Sequence, residues 1–411
     1  MRFLQMISLS IALAACGGSS SNNGTKSNSN ANCQPGAGNT LNASCDPGFT
    51  STTSTPLSIA VIFSGETLGV NGLPFQPAAP GDPVFVDGWS LTFDEILVVL
   101  GNFRVAPGAT QSPQANFVNT PIATMPGPYV VDMHKPQGFI GKDGEEPAGG
   151  LFIWNVADNG SAFDTSTRYS FSYDVQKAVF PATQVNLSPD QFDDYSLMVQ
   201  QGCSKLYRGT ATYVGTGIFP DAAIQAKFAA LPTTVHFMFG WDDATSALNC
   251  INPDFGDSEN LANRGVQPTS SGTVIAQVTL HVDHAFWDAV KIEGTPLRFD
   301  HIAAWAPANT TAAAPFDLRT IAVKSLATTF ADGTPLPDRG PIQNVPGGYN
   351  SNQSNPNQVT LNLNGVPASN LPGIANFMAF SAQSQMHLNA DGLCYIVGQQ
   401  AADPYYSPAL Q

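Results

Sequence analysis

Charge is scarce in this 411-residue chain. Asp, Glu, Lys and Arg together make up 11% of it, against about 25% in an average soluble protein. The surface must therefore be built largely from Asn, Gln, Ser, Thr and Gly. Basic residues are the scarcer half, 16 Lys and Arg against 31 Asp and Glu, for a formal net charge of −15. No Lys/Arg cluster interrupts that acidity, so the basic face that DNA or RNA binding needs is missing. Catalytic templates are missing too. The chain has no G-x-S-x-G elbow, no H-E-x-x-H helix, no phosphate-binding loop and no dinucleotide fingerprint. These absences point to a non-enzymatic protein whose partner is a protein or small ligand and not a nucleic acid.

Long helix-forming stretches are also few, because 32 prolines and 37 glycines are spread along the whole chain. Proline at that density breaks helices but sits readily in turns between short strands. Strand candidates follow one another: Leu57–Phe63, Val84–Val105, Tyr129–Asp132, Leu151–Trp154, Tyr169–Tyr173, Thr210–Val214, Val235–Gly240, Thr273–Asp283, Leu297–Trp305, Gln358–Asn362, Ala375–Gln385 and Cys394–Val397. In the second of these, Trp89, Leu91 and Phe93 alternate with Ser90, Thr92 and Asp94, the period of a half-buried strand, and Ile96–Leu100 reads as buried on both faces. The expected fold is all-β, a β-sandwich or two packed antiparallel sheets with one or two short helices and long loops. The helices are expected at Pro220–Leu231 and after Asp283 as an N-cap.

At the N-terminus, Arg2 precedes a short apolar stretch that closes on Leu13-Ala14-Ala15-Cys16-Gly17. This run resembles the lipobox of bacterial lipoproteins. The resemblance implies cleavage before Cys16, acylation of its thiol, and retention at the outer membrane, since Gly17 stands where an inner-membrane retention signal has Asp. The stretch is too short to span a bilayer, which takes about 20 apolar residues. The chain thus divides into a signal peptide, 1–15, a lipidated Cys16 with a polar Ser/Asn/Gly tether to residue 54, and a β-rich soluble body, 55–411, with a candidate split in the polar loop 251–272. The tether is too polar to offset its own chain entropy by burial and is expected to stay unfolded.

Export to an oxidising compartment makes disulfides the expected fate of the other cysteines. Cys33 and Cys45 pair within the tether. If the flanking strands form a hairpin, Cys203–Cys250 is the favoured second bridge and leaves Cys394 free; Cys250–Cys394 is the competing connectivity.

Half of the six histidines fall in one stretch: His281 and His284 in His281-Val-Asp283-His284, then His301. Two potential ligands at i and i+2, His281 and Asp283, share a strand face opposite Val278, Leu280 and Val282. With His284 and His301 they make a candidate site for zinc or copper, the ions such ligands favour. Thr279-Leu-His281-Val-Asp283-His284 is also similar to the H-x-H-x-D-H signature of metallo-β-lactamase-like hydrolases in three of four positions. Thr279 replaces the first histidine, however, and the alternating strands and helices of that family are missing. Asp254, Asp257 and Glu259, and Asp143, Glu145 and Glu146, are loop carboxylate clusters without an EF-hand spacing.

Overall fold

The computed structural model describes residues 40–41, 56–75, 84–110, 120–135, 149–215, 221–257, 260–290, 296–321, 328–337, 361–363, 365–371 and 373–397. Cys16, Cys33, Cys45 and the 143–146 carboxylates lie outside them, as do Glu259 and most of the Gln358–Asn362 candidate. The protein is β-rich, as expected, with two sheets facing one core.

The larger sheet is organised by β3 (Trp89–Pro107), which pairs with β9 (Lys205–Tyr213), β7 (Tyr169–Val175), β5 (Tyr129–Asp132) and β4 (Ala123–Met125). Its length follows from two register shifts, between Phe93 and Glu95 and between Gly101 and Arg104, which let one strand serve successive partners. β10 (Thr234–Trp241) extends the sheet beyond β9, and β11 (Thr245–Leu248) and β16 (Tyr395–Ile396) extend it beyond β7.

The smaller sheet runs β1 (Thr40–Leu41), β6 (Gly149–Trp154), β2 (Ile59–Ser64), β12 (Val274–Leu280), β14 (Met386–Leu388), β15 (Gly392–Leu393). β1 falls within the span read as tether and pairs with Phe152 and Ile153. Ile59, Val61 and Phe63 of β2 and Ala276, Val278 and Leu280 of β12 share one apolar cluster with Ile96, Val98, Leu100 and Phe103 of β3. Both sheets are mixed and not purely antiparallel: β2 pairs with β12 in parallel, and β10 pairs with β13 (Phe316–Asp317) in parallel. The loop after Cys250 reaches both sheets, with Ile251 N donating to Leu393 O at 2.8 Å and Val266 N donating to Tyr169 O at 2.8 Å.

Two expected strands are helical. Ala375–Gln385 contains α5 (Ile374–Ser381), where Ile374, Phe377, Met378 and Ser381 are buried at helical spacing, so the apolar run has period 3.6. Leu297–Trp305 holds the single turn α4 (Asp300–Ala303). There Asp87 Oδ2 accepts from the backbone N–H groups of Phe299 and Asp300 at 2.7 and 2.8 Å, satisfying donors that a strand would have offered to a neighbour. The expected helix at Pro220–Leu231 is present as α3 (Ala222–Ala229), with the Asp221 carboxylate capping Ala223 N and Ile224 N. Asp283 is not an N-cap; it lies inside a 3-10 turn, Val282–Phe286, that opens at His281.

α2 (Phe192–Gln201) is a helix that the sequence reading does not expect. Its preceding turn carries a capping box, Ser188 with Gln191, and Gly202 ends it in the left-handed region at φ 67°. Tyr195 and Met198 of α2 cover Leu97, Val99, Val130 and Leu206 on the outer face of the large sheet, so Ile96–Leu100 is buried on both faces.

The favoured Cys203–Cys250 bridge is overturned. Cys250 is bonded to Cys394, and Cys203 is a buried free thiol. Lys205 does pair with Trp241 across β9 and β10, but the chain then leaves that hairpin as β11 to pair with β7 and β16. Cys250 is thereby carried away from Cys203 to the strand that precedes β16. Because this bond closes a loop of 144 residues, Cys394→Ser should cost about 2–5 kcal/mol in oxidised protein. Urea unfolding midpoints that coincide for the two proteins would show that the bond does not form.

Beneath α2, burial pushes the Glu95 carboxyl up to about 9, its hydrogen bond to Asp194 and that residue's charge push the same way, and together they outweigh the Gln191 hydrogen bond and the Arg208 guanidinium 3.6 Å away. Glu95 therefore stays protonated in the fold at neutral pH while the unfolded chain ionises near 4.5. At this group the unfolded state binds fewer protons across that window, so its contribution to stability falls as pH rises from about 5 towards 9. Glu95→Gln, which mimics the protonated form, is expected to be near neutral at pH 5 and to stabilise by on the order of 2 kcal/mol at pH 8. A stability gap that does not change with pH would contradict this.

Candidate metal centre

Register brings three chain segments to one end of the small sheet. In the parallel pair β2–β12, Ser64 lies opposite Thr279. Two residues further on, Glu66 therefore comes beside His281. In the antiparallel pair β12–β14, Thr279 lies opposite His387, and His281 N donates to Gln385 O at 2.9 Å. His281 and His387 are thus diagonal neighbours on one face, within reach across adjacent strands. Their rings stack with centroids 4.0 Å apart and planes inclined by 15°.

After Leu280 the strand coils into the 3-10 turn, which swings His284 back over the pair. Its ring stands nearly perpendicular to those of His281 and His387, at 5.4 and 5.7 Å, and stacks on Trp287 at 3.7 Å. One ring nitrogen from each of His281, His284 and His387 lies within 4.8 Å of the other two. Glu66, His281 and Asp391 form a second such group that shares His281. Glu66 Oε1 is 3.1 Å from His281 Nε2, a close contact without the alignment of a hydrogen bond. Asp391, at the turn between β14 and β15, reaches to 4.0 Å and is three-quarters exposed.

Electrostatically the three rings differ. Burial alone would lower His281, but the carboxylate of Glu66, followed by Asp283 and Asp391, outweighs it and raises the ring to about 10. His284 and His387 are pushed well below the ordinary histidine range by burial and then by the charge on His281, so both are neutral. Neutral imidazole is the form that ligates a metal, so His284 and His387 are ready ligands whereas His281 ligates only by giving up its proton.

Hydrogen bonds orient the two buried rings. Ser384, in the 3-10 turn after α5, has its Oγ 2.9 Å from His284 Nδ1 and its carbonyl 3.0 Å from His387 Nε2. Tyr173 Oη donates to the His387 carbonyl at 3.0 Å. The same turn is held from below by Lys205, fully buried, whose Nζ donates to Asp243 at 2.6 Å, to Ala382 O at 3.0 Å and to Gln385 Oε1 at 3.2 Å.

Of the four residues expected to form the site, His281 and His284 are brought together and two are not. Asp283 turns away and accepts from Trp287 Nε1 at 2.8 Å. His301 is a packed core histidine on α4, driven down to about 3 by burial and by Arg298. The stretch Leu297–Trp305 turns as a helix at His301 instead of running as a strand towards the site. His387 and Glu66 take their places. Neither carries a local signal: His387 stands alone in Met386-His387-Leu388, and Glu66 follows a strand whose partner lies far along the chain. Knowing the β2–β12–β14 register would have found both.

The ligand types present, imidazole with carboxylate and no thiol, suit zinc or copper(II) and not an all-oxygen calcium site. Comparison of the chain with protein-family models, with curated proteins and with solved structures gives no match.

Proposed function

We propose that the soluble body binds a divalent transition-metal ion, zinc or copper, through His281, His284 and His387 with Glu66 as a carboxylate ligand. The observation that carries this reading is the meeting of three imidazoles from two remote segments, two of them buried and neutral. Buried imidazole is costly unless its nitrogens are satisfied, and among the described residues His387 Nδ1 makes no hydrogen bond of ordinary geometry while His281 Nε2 meets only the Glu66 carboxylate, at 3.1 Å. A metal ion is a partner of the right chemistry for the first, and at the second it would take the place of the proton that His281 shares with Glu66. The lipobox and polar tether support a place for this activity, on a body hung from the outer membrane by lipid on Cys16.

Metal content tests the first half. Chelator-stripped protein reloaded with zinc should hold one equivalent by elemental analysis. His281→Gln and His387→Gln should each weaken zinc by more than about 100-fold, beyond the 10–100-fold typical of outer-shell partners, while circular dichroism stays unchanged. A full equivalent retained at wild-type affinity in both variants would refute the site. Cell fractionation tests the second half: Cys16→Ser should move the protein out of the membrane fraction, and a variant that stays there would end the lipid-anchor reading.

A further inference from the structure

The hydrogen bonds around Ser384 determine which nitrogen each buried imidazole can offer an ion. The Ser384 hydroxyl donates to Ser381 O at 2.8 Å, so its proton is already used. Towards His284 Nδ1, at 2.9 Å, the same oxygen must therefore accept, which places a hydrogen on Nδ1 and leaves Nε2 bare. A backbone carbonyl can only accept, so the 3.0 Å contact between Ser384 O and His387 Nε2 places a hydrogen on Nε2 and leaves Nδ1 bare. His387 Nδ1 makes no hydrogen bond of ordinary geometry, although the backbone of Asp391 also acts on the ring.

We infer that Ser384 is the positioning residue of the centre, fixing opposite tautomers in its two buried histidines so that the ion is taken through Nε2 of His284 and Nδ1 of His387. The inference rests on the metal-binding reading above. It matches a general pattern in which the second ring nitrogen of a ligating histidine donates to a carbonyl or hydroxyl that orients the ring. Here one residue does this twice, once with its side chain and once with its backbone. Its own position is set by α5 and by the Lys205 contacts to Ala382 and Gln385 on either side of it.

The two contacts respond differently to substitution. Ser384→Ala removes the hydroxyl that orients His284 and leaves the carbonyl that orients His387. Ser384→Thr keeps both. Two-bond proton–nitrogen correlation spectra of the 15N-labelled full chain read the tautomers directly, without any substitution. Before zinc is added, His284 should show its hydrogen on Nδ1 and His387 on Nε2; with zinc, the resonances of His284 Nε2 and His387 Nδ1 should shift. In zinc titrations, Ser384→Ala should bind 10–100-fold more weakly, and Ser384→Thr should stay within about threefold of wild type.

Finding the same tautomer in both rings overturns the inference, as does a zinc-induced shift at the other nitrogen of either ring. Should Ser384→Ala lose its fold, the wild-type spectra alone decide. Wild-type affinity in a folded Ser384→Ala also overturns it while leaving the metal reading intact. Spectra that show the expected tautomers but no change with zinc would bring down the metal reading itself.

Discussion

The parallel pairing of β2 with β12 is the constraint on which the rest of the structure depends. Parallel neighbours need a crossover connection, usually a dozen or more residues. Here the crossover contains the whole run from α1 (Glu66–Asn71) through β11, including the long strand β3. Most of the large sheet, from β3 to β11, is thus an excursion between two adjacent strands of the small one, with β13 and β16 added from later in the chain, and its inner face closes over them to make a common core. Because side chains alternate with period two, a slip of one residue in the β2–β12 register would turn Ala276, Val278 and Leu280 outward. It would also part Glu66 from His281. Hydrophobic burial and the geometry of the candidate site are therefore fixed by one and the same register.

That coupling explains how a cluster of polar rings is tolerated among buried groups. Stacking His281 on His387, with Glu66 beside the first and Ser384 bonding the second, shares the desolvation cost among several partial interactions. No single one would suffice, since an unmet buried polar group costs about 1–3 kcal/mol. Trp287 adds a flat apolar wall under His284 and is itself held by Asp283. The residue expected to be a ligand instead secures the floor of the site.

The sequence made the strand faces legible and the long-range pairings illegible. Alternation in Trp89–Phe93 and in Val274–Leu280 places the correct side chains inward, because period two is a local property. Apolar runs without alternation misled. Ile374–Ser381 and Asp300–Ala303 are helical, and only the spacing of Ile374, Phe377 and Met378, or the remote carboxylate of Asp87, distinguishes them from strands. The capping box at Ser188 was a readable signal for α2. For the candidate site, His281 and His284 stood out by proximity in the chain, whereas His387 and Glu66 are neighbours only through backbone pairing. Cysteine connectivity behaves in the same way: Cys250 lies close to the β9–β10 hairpin in sequence and goes to Cys394 because β11 leaves that hairpin.

The turn between α5 and β14 ties these observations into one mechanical unit. Gln385 accepts from Lys205 through its side chain and from His281 through its backbone, Ser384 bonds two imidazoles, and Met386 enters the apolar core. Lys205 in turn is anchored on the large sheet with Asp243, whose other oxygen meets the Ser204 hydroxyl. A fully buried ion pair of this kind adds little net stability, yet breaking it by removing one partner is expensive. It therefore resists distortion more than it stabilises. Its place between the large sheet and residues 382–385 lets the stiffness of that sheet define where the histidines of the smaller one stand. A metal ion, which tolerates errors of only about 0.2 Å in ligand distance, needs that kind of support from outside its own ligands.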